Sequence, residues 1–316
     1  VVKAAVHKVM ADKAWCRYPA FVPTELASRL ARFANWRSDG VLVGNGPNEL
    51  IEAVLMVTVE PGKCVVIPQP TFTLYQMLTT ILGGEPRPVP LTQTLGFDVP
   101  RIAEAAAQAD VTLLCCPNNP TGSMLSLDEM RSILTAARGL VIIDEAYHEF
   151  SRQSAVPLLR EFEHLVVLRT FSKAMSMAGL RVGYLLGHPP LVEQIAKAKL
   201  PYNLNIFSMT AAEAAVEHFG LLQPQIELLI KERERLLGQL QQTLGVTAYP
   251  SQANFIAFKT QFPAVQVFEA LYSKGILVRD ISRYPMLENF LRVSVGSPQE
   301  NDQFLEALRG FLATRL

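Results

Sequence analysis

The sequence is poor in the residues that build metal centres and disulfide frameworks. Its 316 residues include four cysteines and five histidines. The cysteines are Cys16, Cys64, Cys115 and Cys116; they show no C-x-x-C spacing, and the last two lie in the apolar run VTLLCC. No H-E-x-x-H motif is present. These absences argue against a metal site and favour buried free thiols in a reducing compartment.

Long apolar segments and an excess of one charge are also absent. Lys and Arg number 29, as do Asp and Glu, so the formal net charge is zero and gives no reason to expect a nucleic-acid partner. No run of about 18 uncharged apolar residues exists, which argues against a membrane span. The start, VVKAAVHKVMADKAW, lacks the continuous apolar centre of a signal peptide. We therefore predict a cytoplasmic protein with no nucleic-acid or membrane partner.

Residues 41–187 alternate short apolar runs with polar loops and helical patterns. The runs cover 63–70, 111–120, 140–147, 165–172 and 181–187. Val, Ile and Leu on both faces of a run are typical of a buried parallel strand, because helices cover the sheet on both sides. The pattern predicts an α/β domain with a mostly parallel central sheet, whose ligands collect at the carboxyl ends of the strands.

A different pattern follows this region. Residues 225–245 predict a long helix, and 246–259, 276–280 and 290–296 predict strands. The final helix should begin at SPQE, where the serine caps, the proline fits the first turn and the glutamate completes a capping box. We predict a smaller α+β domain here.

One lysine, Lys173, follows the strand-like run LVVLRTFS. A lysine in a loop is usually a solvated charge; the alternative is an amine that forms a Schiff base, which must be partly desolvated to become a nucleophile. Its neighbours Thr170, Ser172 and Arg181 supply hydroxyls and a planar guanidinium that suit phosphate. An amine among phosphate ligands predicts a cofactor with an aldehyde and a phosphate, such as pyridoxal phosphate (PLP).

PLP requires further groups, and the sequence supplies candidates for them. Asp144, at the end of VIID, would keep the pyridine nitrogen protonated, although it would also suit a helix or turn cap. Asn119 in NNPTG and Tyr147 would contact the phenolic oxygen, although NNPTG is also composed of residues that form plain turns. Phe72 and Tyr75 offer an aromatic platform, with core packing as the alternative for either.

The stretch GNGPNE predicts a turn that enters a helix at about Asn48, where backbone N–H groups suit phosphate. It superficially resembles the dinucleotide motif G-x-G-x-x-G. Position 49 is glutamate, however, where the third glycine would stand. This departure disfavours a dehydrogenase.

Taken in order, GNGPNE, PTFTLY, NNPTG, DEAYHEF and RTFSKAMSMAGLRVGY resemble the fold-type I PLP-dependent aminotransferases, and most closely the histidinol-phosphate aminotransferases. The resemblance runs from RYP at 17–19 to FLRVSVG at 290–296. It implies that Lys173 forms the Schiff base, that Asp144 pairs with the pyridine nitrogen, and that Asn119 and Tyr147 bond the phenolic oxygen. It also implies that Tyr75 stacks on the ring.

The remaining roles also come from the resemblance. The implied phosphate ligands are Thr170, Ser172, Arg181 and the amides near Gly46 and Asn48. The family forms homodimers with shared active sites, and Tyr18 would reach the cofactor phosphate of the partner subunit. Arg279 and Arg292 would bind the anionic end of the substrate, a role that suits two arginines, although surface salt bridges are the alternative.

The resemblance divides the chain into three parts. Residues 1–40 would form an N-terminal segment that contributes to the small domain and the dimer interface. Residues 41–220 would form the large PLP-binding domain, with helices on both sides of its sheet. Residues 221–316 would form the small α+β domain.

The predicted activity is ping-pong transamination between a small-molecule amino donor and a keto acid. The resemblance implies histidinol phosphate and 2-oxoglutarate, converted to imidazole acetol phosphate and glutamate in histidine biosynthesis. The alternatives are an aromatic or other amino-acid aminotransferase, a lyase similar to threonine-phosphate decarboxylase, and a PLP-binding protein without turnover.

Three departures from the family pattern bear on these expectations. The family usually carries an upstream Asn-Glu-Asn-Pro-like stretch that helps to cover the substrate, and this sequence begins after it, so substrate specificity stays open. Pro47 removes one amide donor from the phosphate turn, although proline suits the first turn of a helix. Phe72 stands where tyrosine is frequent, which removes a hydroxyl but keeps the ring.

Overall fold

A seven-stranded sheet organises the first two thirds of the chain in the computed structural model, which describes residues 1–315. Its strands are β1 (Val41–Gly44), β2 (Cys64–Gln69), β3 (Glu85–Pro90), β4 (Val111–Cys115), β5 (Leu140–Asp144), β6 (Leu165–Thr170) and β7 (Gly183–Gly187). They are ordered β1-β7-β6-β5-β4-β2-β3, and only β7 runs against the others. The prediction of a mostly parallel sheet is confirmed.

Helices cover both faces of this sheet. They are α1 (Val2–Asp12), α2 (Thr24–Ala34), α3 (Pro47–Thr58), α4 (Leu74–Ile81), α5 (Val99–Ala106), α6 (Leu127–Ala136), α7 (His148–Ser151), α8 (Pro189–Ala196) and α9 (Ile206–Glu217). Successive strand residues point to opposite faces, so Leu165 and Val167 pack with α2, α5, α6 and α9. Val166 and Leu168 pack with α3, α4 and α8 on the other side. Both faces are therefore apolar, as the sequence runs predicted.

A four-stranded antiparallel sheet organises the rest of the chain. Its strands are β8 (Val246–Ala248), β9 (Phe255–Thr260), β10 (Arg279–Asp280) and β11 (Phe290–Ser294), and its helices are α10 (Gln223–Gln241), α11 (Ala264–Tyr272) and α12 (Pro298–Ala313). At the start of α12, Glu300 N–H donates to Ser297 Oγ, and Ser297 N–H donates to the Glu300 carboxylate. The predicted capping box and the smaller α+β domain are confirmed.

Two features differ from the sequence expectations. The edge strand β3 was not among the predicted runs, because Pro86, Pro88 and Pro90 are atypical of a strand. Proline has no N–H to donate, and it is tolerated here because the outer side of an edge strand has no neighbouring strand to bond. Helix α2 packs in the core of the large sheet through Leu26 and Leu30, rather than contributing to the small domain as expected for residues 1–40. Its apolar spacing indicates a buried helix but not which core receives it.

Within residues 1–315, no helix has the length and hydropathy required to cross a membrane. The same residues contain no group of three His, Cys, Asp or Glu side chains placed to hold a metal ion. All four cysteines are free thiols; Cys115 and Cys116 are buried as predicted, whereas Cys64 is half-buried and Cys16 is exposed, contrary to the expectation.

A buried ion pair fastens the carboxyl ends of β5 and β6 together. The Glu145 carboxylate accepts hydrogen bonds from Arg169 Nε at 3.0 Å, from Ser154 Oγ at 2.9 Å and from Ala155 N–H. Arg169 also donates to Ser154 Oγ at 2.7 Å. Because both charged side chains are almost fully buried, each depends on the other for compensation.

Replacing Glu145 with glutamine should therefore destabilise the fold. A neutral amide leaves the Arg169 charge buried and uncompensated, so Glu145→Gln should lower the free energy of unfolding by about 3–5 kcal/mol. The measurement is denaturant unfolding followed by circular dichroism. Glu161→Gln is the control, because the Glu161–Arg131 pair is exposed and its loss should cost about 1 kcal/mol or less. Equal losses in the two variants would contradict the structural role of Glu145.

Candidate active site

A cavity of about 220 Å³ opens at the carboxyl ends of β4, β5 and β6. The predicted site residues that line it are Asn48, Tyr75, Asn119, Asp144, Tyr147, Thr170, Ser172, Lys173 and Arg181. A larger hollow of about 770 Å³ lies beside His148 and Arg152. Size therefore does not single out the site; the chemistry of the lining residues does.

Lys173 is the amine of this cavity. It follows the end of β6, and its Nζ lies 5.3 Å from the centroid of the Tyr147 ring. Burial lowers the pKa of Lys173, the positive charge of Arg292 lowers it further, and the Asp144 carboxylate opposes both effects. A lowered pKa increases the fraction of neutral amine, which is the nucleophilic form.

Asp144, the last residue of β5, is buried and held by two donors. The Tyr75 hydroxyl donates to Asp144 Oδ2 at 2.7 Å, and Ala146 N–H donates to Oδ1 at 3.1 Å. Burial raises the pKa of Asp144, whereas these hydrogen bonds and the charge of Lys173 lower it. The carboxylate is thus fixed in orientation and available to a cationic group in the cavity.

The contact of Tyr75 with Asp144 differs from the role that the sequence suggested for this tyrosine. Its side chain is fully buried and its hydroxyl is committed to the carboxylate. Phe72 is partly exposed in the same cavity and meets Tyr75 edge-on, with ring centroids 5.5 Å apart. Phe72 therefore offers a second aromatic ring in the cavity, and the stacking of Tyr75 on the cofactor ring stays a prediction.

The predicted phosphate groups converge on the N-terminus of α3. Gly46 is the N-cap residue with φ +83°, and a Cβ added there would lie 2.6 Å from Arg181 Nη2, so only glycine fits. Arg181 Nη1 lies 3.4 Å from Ser172 Oγ, and Ser172 N–H donates to Thr170 Oγ1 at 3.0 Å. The first N–H groups of a helix have no intrahelical partner. The turn, two hydroxyls and one guanidinium together suit an anion.

Arg292 extends from the small sheet to Asn119, one of the residues that line the cavity. Its Nη1 donates to Asn119 Oδ1, and its guanidinium lies 4.6 Å from the centroid of the Phe255 ring. Arg279 lies directly opposite Arg292 in the β10–β11 pair but is exposed. Burial lowers the pKa of Arg292, and the charge of Arg279 adds to that effect. Two like charges facing each other favour an anion between them.

One observation supports this view of Arg292. Among the residues that the structure describes, Arg292 Nε is the one buried side-chain nitrogen or oxygen without a hydrogen-bond partner. A buried donor without a partner carries a desolvation cost. An anionic ligand would remove that cost.

The loop that carries Asn119 is held by a buried asparagine that the sequence did not single out. Asn118 Nδ2 donates to the Pro70 carbonyl at 2.9 Å and to Thr121 Oγ1 at 2.7 Å, while its Oδ1 accepts from Thr71 at 2.6 Å. Asn118 is therefore a structural residue, and Asn119 is free to face the cavity. The signal in the sequence is the doubled asparagine, which provides one side chain for each task.

Tyr18 does not line the cavity of its own chain. It is 81% exposed and stacks on Tyr202, with ring centroids 4.7 Å apart. Trp15 and Phe21 are also exposed on this stretch, at 65% and 61%. We call Trp15, Tyr18, Phe21 and Tyr202 the aromatic surface.

Comparison with known proteins agrees with the site chemistry. Residues 1–308 match the family described as Aminotransferase class I and II. A histidinol-phosphate aminotransferase of Chlorobium phaeovibrioides is 37% identical over 310 residues, which cover 97% of this chain and 86% of that protein.

Two solved structures show the same fold. The histidinol-phosphate aminotransferase of Clostridium acetobutylicum superposes with a TM-score of 0.91 at 22% identity, covering 98% of this chain and 95% of that one. The L-threonine-O-3-phosphate decarboxylase of Porphyromonas gingivalis gives a TM-score of 0.88 at 22% identity, covering 99% and 95%. The fold-type I prediction is confirmed, and the chain belongs to the class I and II aminotransferase family.

Proposed function

We propose that this protein is a cytoplasmic, PLP-dependent aminotransferase that exchanges an amino group between histidinol phosphate and 2-oxoglutarate. The observation that carries the proposal is the placement of the desolvated Lys173 amine and the buried Asp144 carboxylate in one cavity, beside the anion-binding turn at Gly46. The similarity to histidinol-phosphate aminotransferases supports the choice of substrate.

The residues present fit PLP. Lys173 would hold its aldehyde carbon, Asp144 would hold its pyridine nitrogen, and Asn119 and Tyr147 would contact its phenolic oxygen. The phosphate ligands would be Thr170, Ser172, Arg181 and the N–H groups near Gly46 and Asn48. When bound, PLP supplies the electron sink that makes removal of a proton from the substrate Cα feasible.

The protein's own part is to move that proton and to orient the substrate. Once released, the Lys173 amine would move a proton between the substrate Cα and the carbon of the PLP aldehyde, as general base and acid. The charges of Arg279 and Arg292 would bind the substrate phosphate or the carboxylate of the keto acid. Asn119 accepts a hydrogen bond from Arg292, so its amide N–H groups stay free to face the cofactor.

A lyase is the second candidate, because the same fold occurs in a threonine-phosphate decarboxylase. Such an enzyme would use the same lysine, aspartate and phosphate groups. The distinction lies in which bond at Cα aligns with the cofactor, and the small-sheet arginines determine that alignment by holding the anionic end.

An amine panel tests the proposed activity. PLP-loaded protein mixed with histidinol phosphate should lose its yellow absorbance as the amino group is transferred, and 2-oxoglutarate should restore it. Threonine phosphate and aromatic amino acids should react more slowly. Lys173→Ala should abolish the transfer, with a loss of at least about a thousandfold, because both the base and the acid are removed.

Two results would contradict this assignment. Carbon dioxide release from threonine phosphate would favour the lyase, and near-normal turnover by Lys173→Ala would exclude Lys173 as the base. Lys197→Ala is the control, because Lys197 lies on the surface and bonds only Gln194.

Tyr75 would control the charge state of Asp144 before and during cofactor binding. Burial has raised the pKa of Asp144, and the Tyr75 hydroxyl partly offsets that rise. For a carboxyl group with a raised folded-state pKa, stability is fully present below its unfolded pKa and is lost as the pH rises through the folded value. Tyr75 therefore limits a stability loss that occurs from acidic to neutral pH.

Tyr75→Phe should enlarge that loss. In cofactor-free protein, its deficit in unfolding free energy should be small at about pH 3.5, below the ordinary pKa of Asp, and grow to about 1–3 kcal/mol at about pH 7.5, because the charged carboxylate then lacks its donor. Thermal unfolding of the variant and the wild type at both pH values measures the difference. Tyr249→Phe, on the small sheet, should show no such pH dependence. A Tyr75→Phe deficit of equal size at both pH values would contradict the role.

We further propose that two copies of the chain share their active sites. The aromatic surface leaves large apolar rings exposed, and Tyr18 lies outside its own cavity. In a symmetric dimer the same surface occurs on both subunits, so each Tyr18 would reach the phosphate site of the other.

Mixing two defective variants tests the shared site. Lys173→Ala lacks the amine, and Tyr18→Ala lacks the hydroxyl that would reach the partner subunit. In a mixed dimer the Tyr18→Ala subunit keeps Lys173 and receives Tyr18 from the Lys173→Ala subunit, so one of the two sites is intact. An equimolar mixture re-equilibrated as subunits should recover roughly a quarter of wild-type activity, since half of the dimers are mixed and each has one intact site of two. Lys173→Ala mixed with the double variant is the control and should recover nothing. No recovery in the first mixture would contradict the shared site.

A further inference from the structure

Glu49 makes an unusual set of contacts beside the phosphate turn. It is the third residue of α3, and its Oε2 accepts hydrogen bonds from Asn45 N–H and from Asn203 Nδ2, both at 2.6 Å. The Oδ1 of Asn203 in turn accepts from Lys199 Nζ at 2.7 Å. These contacts join the turn at 44–48 to the segment 199–203, which is distant in sequence.

The contact with Asn45 is similar to the back-bond of a capping box but reaches one residue further, because the N–H of the N-cap Gly46 donates to the Gly44 carbonyl instead. In the full motif a serine or threonine at the N-cap bonds the third helical N–H, while a glutamate at that position bonds back. Here the N-cap is Gly46, which has no side chain to donate or accept. Glu49 thus fixes the backbone before the helix, while the N–H groups of the first turn remain available to an anion.

The position of a carboxylate so close to the predicted phosphate needs an electrostatic reason. A negative charge there would repel phosphate, whereas the helix dipole favours an acidic residue in the first turn; the two hydrogen bonds show that Glu49 Oε2 also acts as an acceptor. Lys199 lies at the other end of the contact chain. Burial lowers the pKa of Lys199, and the charge of Glu49 opposes that effect, so the two charges offset each other.

We propose that Glu49 and Asn203 are positioning residues that hold the 44–48 turn in its phosphate-binding shape. The inference rests on the proposed function, because the phosphate is that of PLP. The oxygen of Glu49 is required as an acceptor, and its charge is not. Asn203 fixes this oxygen from the opposite side.

The segment 199–203 also carries Tyr202, the residue on which Tyr18 stacks. One short segment therefore contacts both the phosphate turn of its own subunit and the tyrosine predicted to serve the partner. The hydrogen bonds of Asn203 with Glu49 and Lys199 hold this segment against the turn. The contact with the phosphate turn and the contact with Tyr18 therefore depend on the same hydrogen bonds.

A pair of ligands isolates the phosphate contribution. PLP and pyridoxal share the ring and the aldehyde but differ in the phosphate. The dissociation constant of pyridoxal divided by that of PLP therefore reports the contribution of the phosphate to binding. Binding is measured by absorbance titration of the cofactor-free protein. Asn203→Ala removes one of the two hydrogen bonds to Glu49 and should lower the ratio about tenfold, and Glu49→Ala removes both and should lower it by at least about tenfold.

Three further variants sharpen the test. Glu49→Gln keeps an acceptor without the charge and should hold the ratio within about threefold of wild type. The double variant Glu49→Ala with Asn203→Ala should resemble Glu49→Ala alone, because both remove the same contact. Gln194→Ala removes a similar lysine–amide hydrogen bond away from the turn and should change nothing.

The outcomes separate the inference from the proposed function. A wild-type ratio near one would mean that the turn binds no cofactor phosphate, and the proposed function would fail with it. A large wild-type ratio that neither Glu49→Ala nor Asn203→Ala reduces would overturn the positioning role alone, as would an equal loss in Glu49→Gln. Unchanged pyridoxal affinity shows that a variant is folded, and Asn203→Ala provides the measurement if Glu49→Ala does not fold.

Discussion

The parallel pairing of β5 with β6 is the constraint on which the site depends. Parallel strands end at the same edge, so Asp144, which pairs with Leu168, lies near the end of β6 at Thr170, and Lys173 follows three residues later. The Glu145–Arg169 pair fastens these two ends from the face opposite the cavity. Breaking this buried pair would cost several kcal/mol. The strand ends that carry Asp144 and precede Lys173 are therefore held in place before any cofactor binds.

The electrostatics of the cavity favour anionic ligands. Among the residues that line the cavity, Lys173 and Arg181 contribute positive charge and Asp144 is the carboxylate, while Arg292 adds a positive charge beside Asn119. Desolvation lowers the pKa of Lys173 and Arg292, which shows that holding these charges without counterions is costly. A phosphate at the helix N-terminus and a second anion near Arg292 would compensate them.

The sequence predicted the sheet, the small domain and the cavity residues because those features depend on local patterns. Apolar runs on both faces specify buried parallel strands, and Asn, Asp, Ser and Lys at strand ends specify chemistry. Roles that depend on side-chain direction could not be predicted. Tyr75 and Phe72 are three residues apart on one turn, and only packing decides which ring meets Asp144. The contact between Glu49 and Asn203 joins positions 154 residues apart, and no local pattern encodes it.

The division of labour between the two sheets explains why fold similarity does not settle the reaction. The large sheet and the loops at its edge supply the residues of the same chain that would contact PLP, and the small sheet supplies Arg279 and Arg292, which would contact the substrate. Arg292 meets the large sheet through Asn119, and Gln252 N–H donates to the Gly122 carbonyl in the same loop. A change in the small sheet would thus rotate the substrate relative to a fixed cofactor. Since the bond that breaks at Cα is the one aligned with the cofactor's electron sink, transaminases and decarboxylases can share all the cofactor contacts and differ only there.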